Sequence, residues 1–420
     1  MLNPQAFPPS AKADRPQPPG ATYAVAVLTA MNLLNYVDRY VPSAVKSLFK
    51  EDLHLTDRQT SYPLTSFVIV YMLASPIFGA LGERYSRKWL ISAGVALWSL
   101  ATAAAYYATG FWSFLAPRAA VGVGEAAYAT ISPAIISDYF PPARRNRILT
   151  LFYVAIPMGA AIGFKAGGYL GEHYGWRVAF LACGLPGLLT ALLVLFIREP
   201  TRGYYDEHSA KALPSWGRAI ATLARNRQFV VTVAGYTAVT AGSGALADWF
   251  PSFLIRYRGF GVEAASSIAG ITSAVGGLIG TAAGGLAGDW LRGRTRQPYL
   301  ALSAWSMAGA TACLLVALHA TDHAVIGAAM LGAQALLWCY NGPVNALIVN
   351  AVSADMRTRA VSLSIFSIHL FGDATSPTIV GAISDATHSL QFAINLVPLT
   401  LVACTLIWMY GWRRVPETAV

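Results

Sequence analysis

Leu34-Asn35-Tyr36-Val37-Asp38-Arg39-Tyr40 places an acid beside a base inside an apolar run that extends from about Thr22 to Leu48. A run of roughly 25 residues, rising ~1.5 Å at each, is long enough to cross the ~30 Å hydrocarbon core of a bilayer. A charge near the centre of that core costs from about three to more than ten kcal/mol, so it persists only where it faces a partner or water. Two readings of Asp38 and Arg39 follow: a structural ion pair that locks two helices, or a relay for a proton or a substrate.

Composition supports the membrane reading. Of the 420 residues 55% are hydrophobic and only 12% charged, against about a quarter charged in soluble proteins. The segment 1–21 is proline-rich, has no apolar core of its own and reads as a disordered cytosolic tail rather than a cleaved signal. Cys183, Cys313, Cys339 and Cys404 all fall in apolar segments without paired spacing, which argues against disulfides and against a metal site. No Walker A motif is present, so no nucleotide or other cofactor is expected.

Apolar runs lie at about 22–48, 60–81, 88–108, 111–139, 147–170, 176–197, 228–255, 263–288, 298–319, 323–350, 359–382 and 390–412. The pattern predicts an all-α membrane protein of twelve transmembrane helices. Of the 30 lysines and arginines, Lys46, Lys50, Arg58, Arg177, Arg256 and Arg258 fall on one side of the membrane and Arg39, Arg118 and Lys165 within the runs. All the others lie on the side of the termini, which the asymmetry places in the cytoplasm, here across a cell inner membrane. The net charge of +10 is therefore a matter of topology and not of nucleic-acid binding.

The longest polar connection divides the runs evenly. We expect a six-helix lobe at 22–197, a cytosolic linker at 198–227, a second six-helix lobe at 228–412 and a tail at 413–420. The halves echo one another: Gly79-Ala-Leu-Gly-Glu83-Arg84-Tyr-Ser-Arg87-Lys88 follows the second run, and Gly284-Gly-Leu-Ala-Gly288-Asp289-Trp-Leu-Arg292-Gly-Arg294 follows the eighth. Parallel repeats of six helices mark a two-lobed transporter with a central site.

The fourth run carries Arg118-Ala-Ala-Val-Gly122-Val-Gly124-Glu125, with Arg118 and Glu125 two turns apart on one face. Counting ~1.5 Å per residue, Asp38 and Arg118 lie at similar depth and Glu125 about 10 Å nearer the cytosol. Asp38 and Arg118 are thus able to pair, the proton belongs on Asp38 or Glu125, and Arg39 and Arg118 switch partners between them. The glycines match a dinucleotide pattern only superficially, since no strand precedes them, and serve instead for close helix packing. Lys165, towards the outer end of the fifth run, either snorkels to the interface or binds an anionic headgroup. His369 and Asp373 share a face of the eleventh run at i and i+4, too few ligands for a metal.

The loop at Gly79, Glu83, Arg84, Arg87 and Lys88 resembles the signature loop of the major facilitator superfamily, with Glu83 where that family usually has Asp. There the acid is expected to face a helix amino terminus while the arginines hold the opposite lobe. Taken with Asn35-Tyr-Val-Asp-Arg39, the Arg118 to Ala126 segment, Ser132-Pro-Ala-Ile-Ile-Ser-Asp138 and Gly175-Trp-Arg-Val-Ala-Phe180, the chain resembles the Spinster family of that superfamily, more densely in its first half. The resemblance implies alternating access, a sphingoid-phosphate or lysophospholipid substrate and proton coupling. It also implies that Asp38, Arg39, Arg118 and Glu125 are the coupling and substrate residues. Expected partners are protons, membrane lipids and a lipid-like or anionic small molecule, handled by a monomer.

A small organic-anion symporter is the alternative within the same class. An intramembrane protease is the rival from another, since Gly122-Val-Gly-Glu125 approximates a GxGD motif. It lacks the companion Tyr-Asp and has no use for a twelve-helix repeat, so no enzyme is expected. A sensor has no attached signalling domain to support it.

Overall fold

The computed structural model describes residues 15–205, 215–291, 294–352 and 356–415. The expected tails and linker fall partly on residues 1–14, 206–214 and 416–420, which lie outside the described residues.

The first crossing, Ala21–Ala44, turns at Val45 and continues as Lys46–Asp52. The second, Asp57–Arg84, begins on a capping box: the Gln59 amide donates to Thr56 Oγ1 at 3.2 Å and the Thr56 amide to the Gln59 side chain at 2.9 Å. Two otherwise orphaned donors are satisfied at once. Arg87–Ala104, Phe111–Tyr139 and Pro142–Tyr174 follow, and Trp176–Gly184 with Pro186–Leu193 makes the sixth. The second half repeats the order with Arg227–Arg258, Val262–Leu291, Pro298–His319 and a tenth crossing made of His323–Trp338 and Asn341–Asn350. The eleventh is broken into Arg357–Ile368, a π turn at His369–Asp373 and Ser376–Thr387, and the twelfth is Leu390–Ile394 with Val397–Arg414.

Among the described residues ten helical stretches are long and apolar enough to cross a membrane. The first and eleventh crossings stand outside that set for physical reasons. Asn32, Asn35 and Asp38 dilute the first, and Gly372, with non-helical backbone angles, interrupts the eleventh. The order is that of a twelve-helix major facilitator fold with two pseudo-symmetric lobes.

Within the first lobe the first crossing packs on the fifth, and the second and third pack on the fourth. The fourth is brought close by its glycines. A Cβ on Gly122 would lie 2.6 Å from the Phe67 carbonyl oxygen, and one on Gly124 only 2.4 Å from that of Gly94. Backbone touches backbone at both, which sets Glu125 deep inside the lobe. A Gly124→Val protein is expected to lose about 1–3 kcal/mol, the cost typical of overpacking, seen as a lower melting temperature in detergent.

The lobes meet through the second crossing against the eleventh and the fifth against the eighth. This contact is concentrated at the end of the bundle opposite the termini: Gly381 packs on the Asp57 and Arg58 backbone, Gly168 on Ser266, and Gly270 on Ala161 and Phe164. Towards the other end the same four helices carry exposed apolar side chains, including Leu73 and Ile77, Leu151 and Met158, Leu278 and Ile279, and Ile365 and Phe366. The bundle is closed at one end and splayed at the end that holds the termini.

Candidate functional site

Four charged side chains converge inside the first lobe. Arg39 donates from Nη2 to Glu125 Oε2 at 2.7 Å, and its guanidinium lies over the rings of Tyr36 at 4.7 Å and Phe67 at 4.9 Å. Asp38 and Arg118 are each 1% exposed and Glu125 is fully buried. Both carboxylate oxygens of Asp38, Nε and Nη1 of Arg118 and Oε1 of Glu125 have no hydrogen-bond partner. Asp38 and Arg118, expected to be able to pair, are neighbours without a bond between them, and the pair that forms is Arg39 with Glu125. Trp98 and Thr102 of the third crossing stand beside Asp38 with their own polar atoms unpaired.

Such an arrangement is unfinished by design of its chemistry: two acids, two arginines and one bond. Orphaned buried groups cost free energy, and each proton or partner exchanged among them changes that cost. Arg39 is the member that reaches outward, with 22% of its side chain exposed. Tyr40 beyond it lies within electrostatic reach of both Arg39 and Asp373 of the second lobe.

On the second lobe His369 Nδ1 lies 2.9 Å from Asp373 Oδ1, and both side chains are about a quarter exposed. The π turn sets them, because Gly372 packs on Thr240 and Ala241 of the seventh crossing while Gly244 receives the Asp373 Cβ. Tyr236 and Tyr340 lie within electrostatic reach of Asp373, and their rings meet edge to face at 5.4 Å. Lys165 is exposed and joins neither cluster.

The Gly79 to Lys88 loop is occupied with its own lobe and the start of the linker. Arg87 donates to Asp138 Oδ2 at 2.6 Å, to Glu199 Oε1 at 2.9 Å and to the Pro200 carbonyl at 3.0 Å, and Lys88 donates to the Leu195 carbonyl. Glu83 and Arg84 are exposed, and Arg202 donates to the Glu83 carbonyl. The close approach comes at Gly82, which faces Ile131, rather than at Gly79. Burial alone would push the Glu199 carboxyl up, but hydrogen bonds from the Arg87 side chain and amide and from Ser86 hold it below the ordinary range. A Glu199→Gln protein is therefore expected to melt below wild type at neutral pH. The contribution is complete above the unfolded value of about 4.3 and fades as pH falls through the lower folded value, so the melting curves converge only in acid.

Sequence reasoning missed the closed end. Lys46 and Asp248 form a buried ion pair between the lobes, joined by Ser43 and Ser61, with Lys46 Nζ 3.8 Å above the Trp249 ring. Beside it Asp57 accepts two bonds from Arg256 at 2.9 Å, one from Lys50 at 2.6 Å and one from Ser384 at 2.5 Å. Two carboxylates also cap helices across the interface. Asp385 accepts from the amides of Asp57 and Arg58 at 2.8 and 2.9 Å, and Glu172 accepts from the amide of Glu263 at 2.6 Å. The available signal was Lys46 itself, a lysine lying within the first apolar run.

A two-lobed bundle closed at one end, with charged side chains buried inside its first lobe and between the lobes, has the build of a transporter of the major facilitator type. The sequence model described as Major Facilitator Superfamily matches residues 28–377. The chain is 36% identical to protein spinster of Drosophila melanogaster over 382 residues, covering 87% of itself and 62% of that longer protein. It is 33% identical to human protein spinster homolog 1, covering 94% of itself and 80% of the relative, and 31% identical to the mouse sphingosine-1-phosphate transporter SPNS2, covering 90% and 74%. The fold matches the crystal structure of a bacterial homolog of the human lysosomal transporter Spinster, inward-facing and unoccupied, with a TM-score of 0.85 at 21% identity over 96% of this chain and 100% of that one. The chain belongs to the Spinster family of the Major Facilitator Superfamily. It is a multi-pass membrane transporter for a small substrate and not an enzyme.

Proposed function

We propose that this protein is a proton-coupled transporter of an amphipathic lipid, such as a lysophospholipid or a sphingoid phosphate, working by alternating access across a cell inner membrane. Asp38 and Glu125 exchange the proton, and Arg39 and Arg118 exchange acid partners as the lobes rock. Arg39, His369 and Asp373 meet the polar headgroup, and Lys165 receives an anionic group nearer the interface. The basic residues put the termini in the cytoplasm, so the splayed end opens inward. The protein acts as a monomer.

One observation carries the coupling: a buried acid and a buried arginine, Asp38 and Arg118, with unpaired polar atoms beside the Arg39–Glu125 bond. The lipid assignment is supported by the apolar side chains exposed where the lobes part, and by the substrate named for the mouse relative. An amphiphile keeps its tail in that apolar gap while its headgroup reaches the charges.

The test is uptake of a labelled lysophospholipid and a labelled sphingoid phosphate into proteoliposomes, with and without an imposed pH gradient. Flux of either lipid that rises several-fold with the gradient is expected. Flux indifferent to the gradient would remove the coupling, and flux of a small organic anion with neither lipid moving would remove the lipid.

A further inference from the structure

We infer that the helix Trp216–Arg225, in the connection between the lobes, is a docking surface for anionic phospholipid headgroups at the membrane face that carries the termini. Its sequence, Trp-Gly-Arg-Ala-Ile-Ala-Thr-Leu-Ala-Arg, gathers Trp216, Ala219, Ile220 and Leu223 on one side and sets Arg218 and Arg225 on the other. Ala219 and Leu223 are buried against the protein, whereas Trp216 and Ile220 are each 47% exposed. The helix thus has more apolar surface than the protein covers, with cations on its polar side.

Its place in the fold points that surface at the membrane. The helix packs on the start of the seventh crossing and on Arg357–Ile368 of the eleventh. Asn226 at its end donates to the Ala351 carbonyl at 2.6 Å, and Arg359 lies 4.0 Å over the Trp216 ring. It is therefore tied to three crossings at the level where they leave the bilayer. Arg218, Arg225, Arg227 and Arg357 are exposed there, with no ion pair to any acid among the described residues.

Charge selects the occupant. Half-exposed tryptophan and isoleucine beside exposed arginines match the boundary between acyl chains and headgroups, and arginines near a negative leaflet add attraction one by one. A zwitterionic surface would meet the apolar flank but leave the arginines unanswered.

The experiment uses the full chain in detergent, titrated with phosphatidylglycerol, phosphatidylcholine or inorganic phosphate while the melting temperature is followed. Phosphatidylglycerol should raise it by several degrees, high salt should abolish the rise, and neither of the other additions should reproduce it. In the Arg218→Gln, Arg225→Gln, Arg227→Gln protein the apparent affinity should fall roughly a hundredfold, at about fivefold per arginine. The corresponding triple lysine protein should keep most of the affinity. An equal rise in the glutamine protein, a rise indifferent to salt, or one matched by inorganic phosphate would overturn the inference. If the glutamine protein does not fold, the salt titration of wild type still decides.

Discussion

Asp38→Asn is expected to abolish accumulation driven by a pH gradient while leaving substrate exchange across the membrane intact. The asparagine keeps the size of the side chain and its place between Trp98, Thr102 and Arg118, but it has no proton to give. Asparagine can still meet Trp98 and Thr102 through its amide oxygen, so folding should be preserved. In proteoliposomes the ratio of internal to external substrate should fall from well above one to unity, with counterflow retained. Glu125→Gln should behave differently. It breaks the charge-assisted bond to Arg39, leaving a partly exposed arginine over its aromatic bed, and should weaken substrate handling as well as coupling. If Asp38→Asn still accumulates substrate under a gradient, the relay reading of that pair fails and the structural one takes its place.

Lys46→Ala should shift the conformational balance more strongly than any other single change. Lys46 and Asp248 are 1% and 2% exposed and lie on opposite lobes, so the pair exists only while this end is closed. Removing one partner of a buried pair costs about 3–5 kcal/mol, a factor of roughly 10² to 5 × 10³ in the population ratio, because the remaining charge is left in a dry site. Opening that end gives Asp248 water, so the variant should favour the oppositely open state. Distances between spin labels on the two lobes should lengthen at the end opposite the termini and shorten at the other. The paired replacement Lys46→Met with Asp248→Leu should restore closure, since an apolar pair of similar volume is often as stable as the ions. Unchanged label distances in Lys46→Ala would mean that the Asp57 cluster alone holds the end shut.

Much of this molecule was legible in its sequence because long apolar runs have few alternative structures. Each run corresponds to helix among the described residues, ten stretches of it long and apolar enough to cross a membrane, and the charges buried within the runs marked the first-lobe cluster. What was not legible depended on contacts between distant segments. The run 359–382 reads as one helix, yet its break at Gly372 arises from packing on Thr240 and Ala241. The linker hides a ten-residue helix too short to register as a span. Depth counted along single helices suggested that Asp38 and Arg118 are able to pair, whereas the long Arg39 side chain, ~100° further round the helix, reaches Glu125. The basic residues of the closed end counted only towards the charge on the side opposite the termini, because their partners lie some 200 positions away, as that of Ser43 does at 205.

The two carboxylate caps at that end are placed symmetrically in the two halves. Glu172 stands at the end of the fifth crossing and holds the start of the eighth, while Asp385 stands at the end of the eleventh and holds the start of the second. Each half offers the other the same grip at corresponding positions, as the two subunits of an isologous dimer do. Both grips cross between the lobes without using the linker, so cutting it should still leave two halves that co-purify.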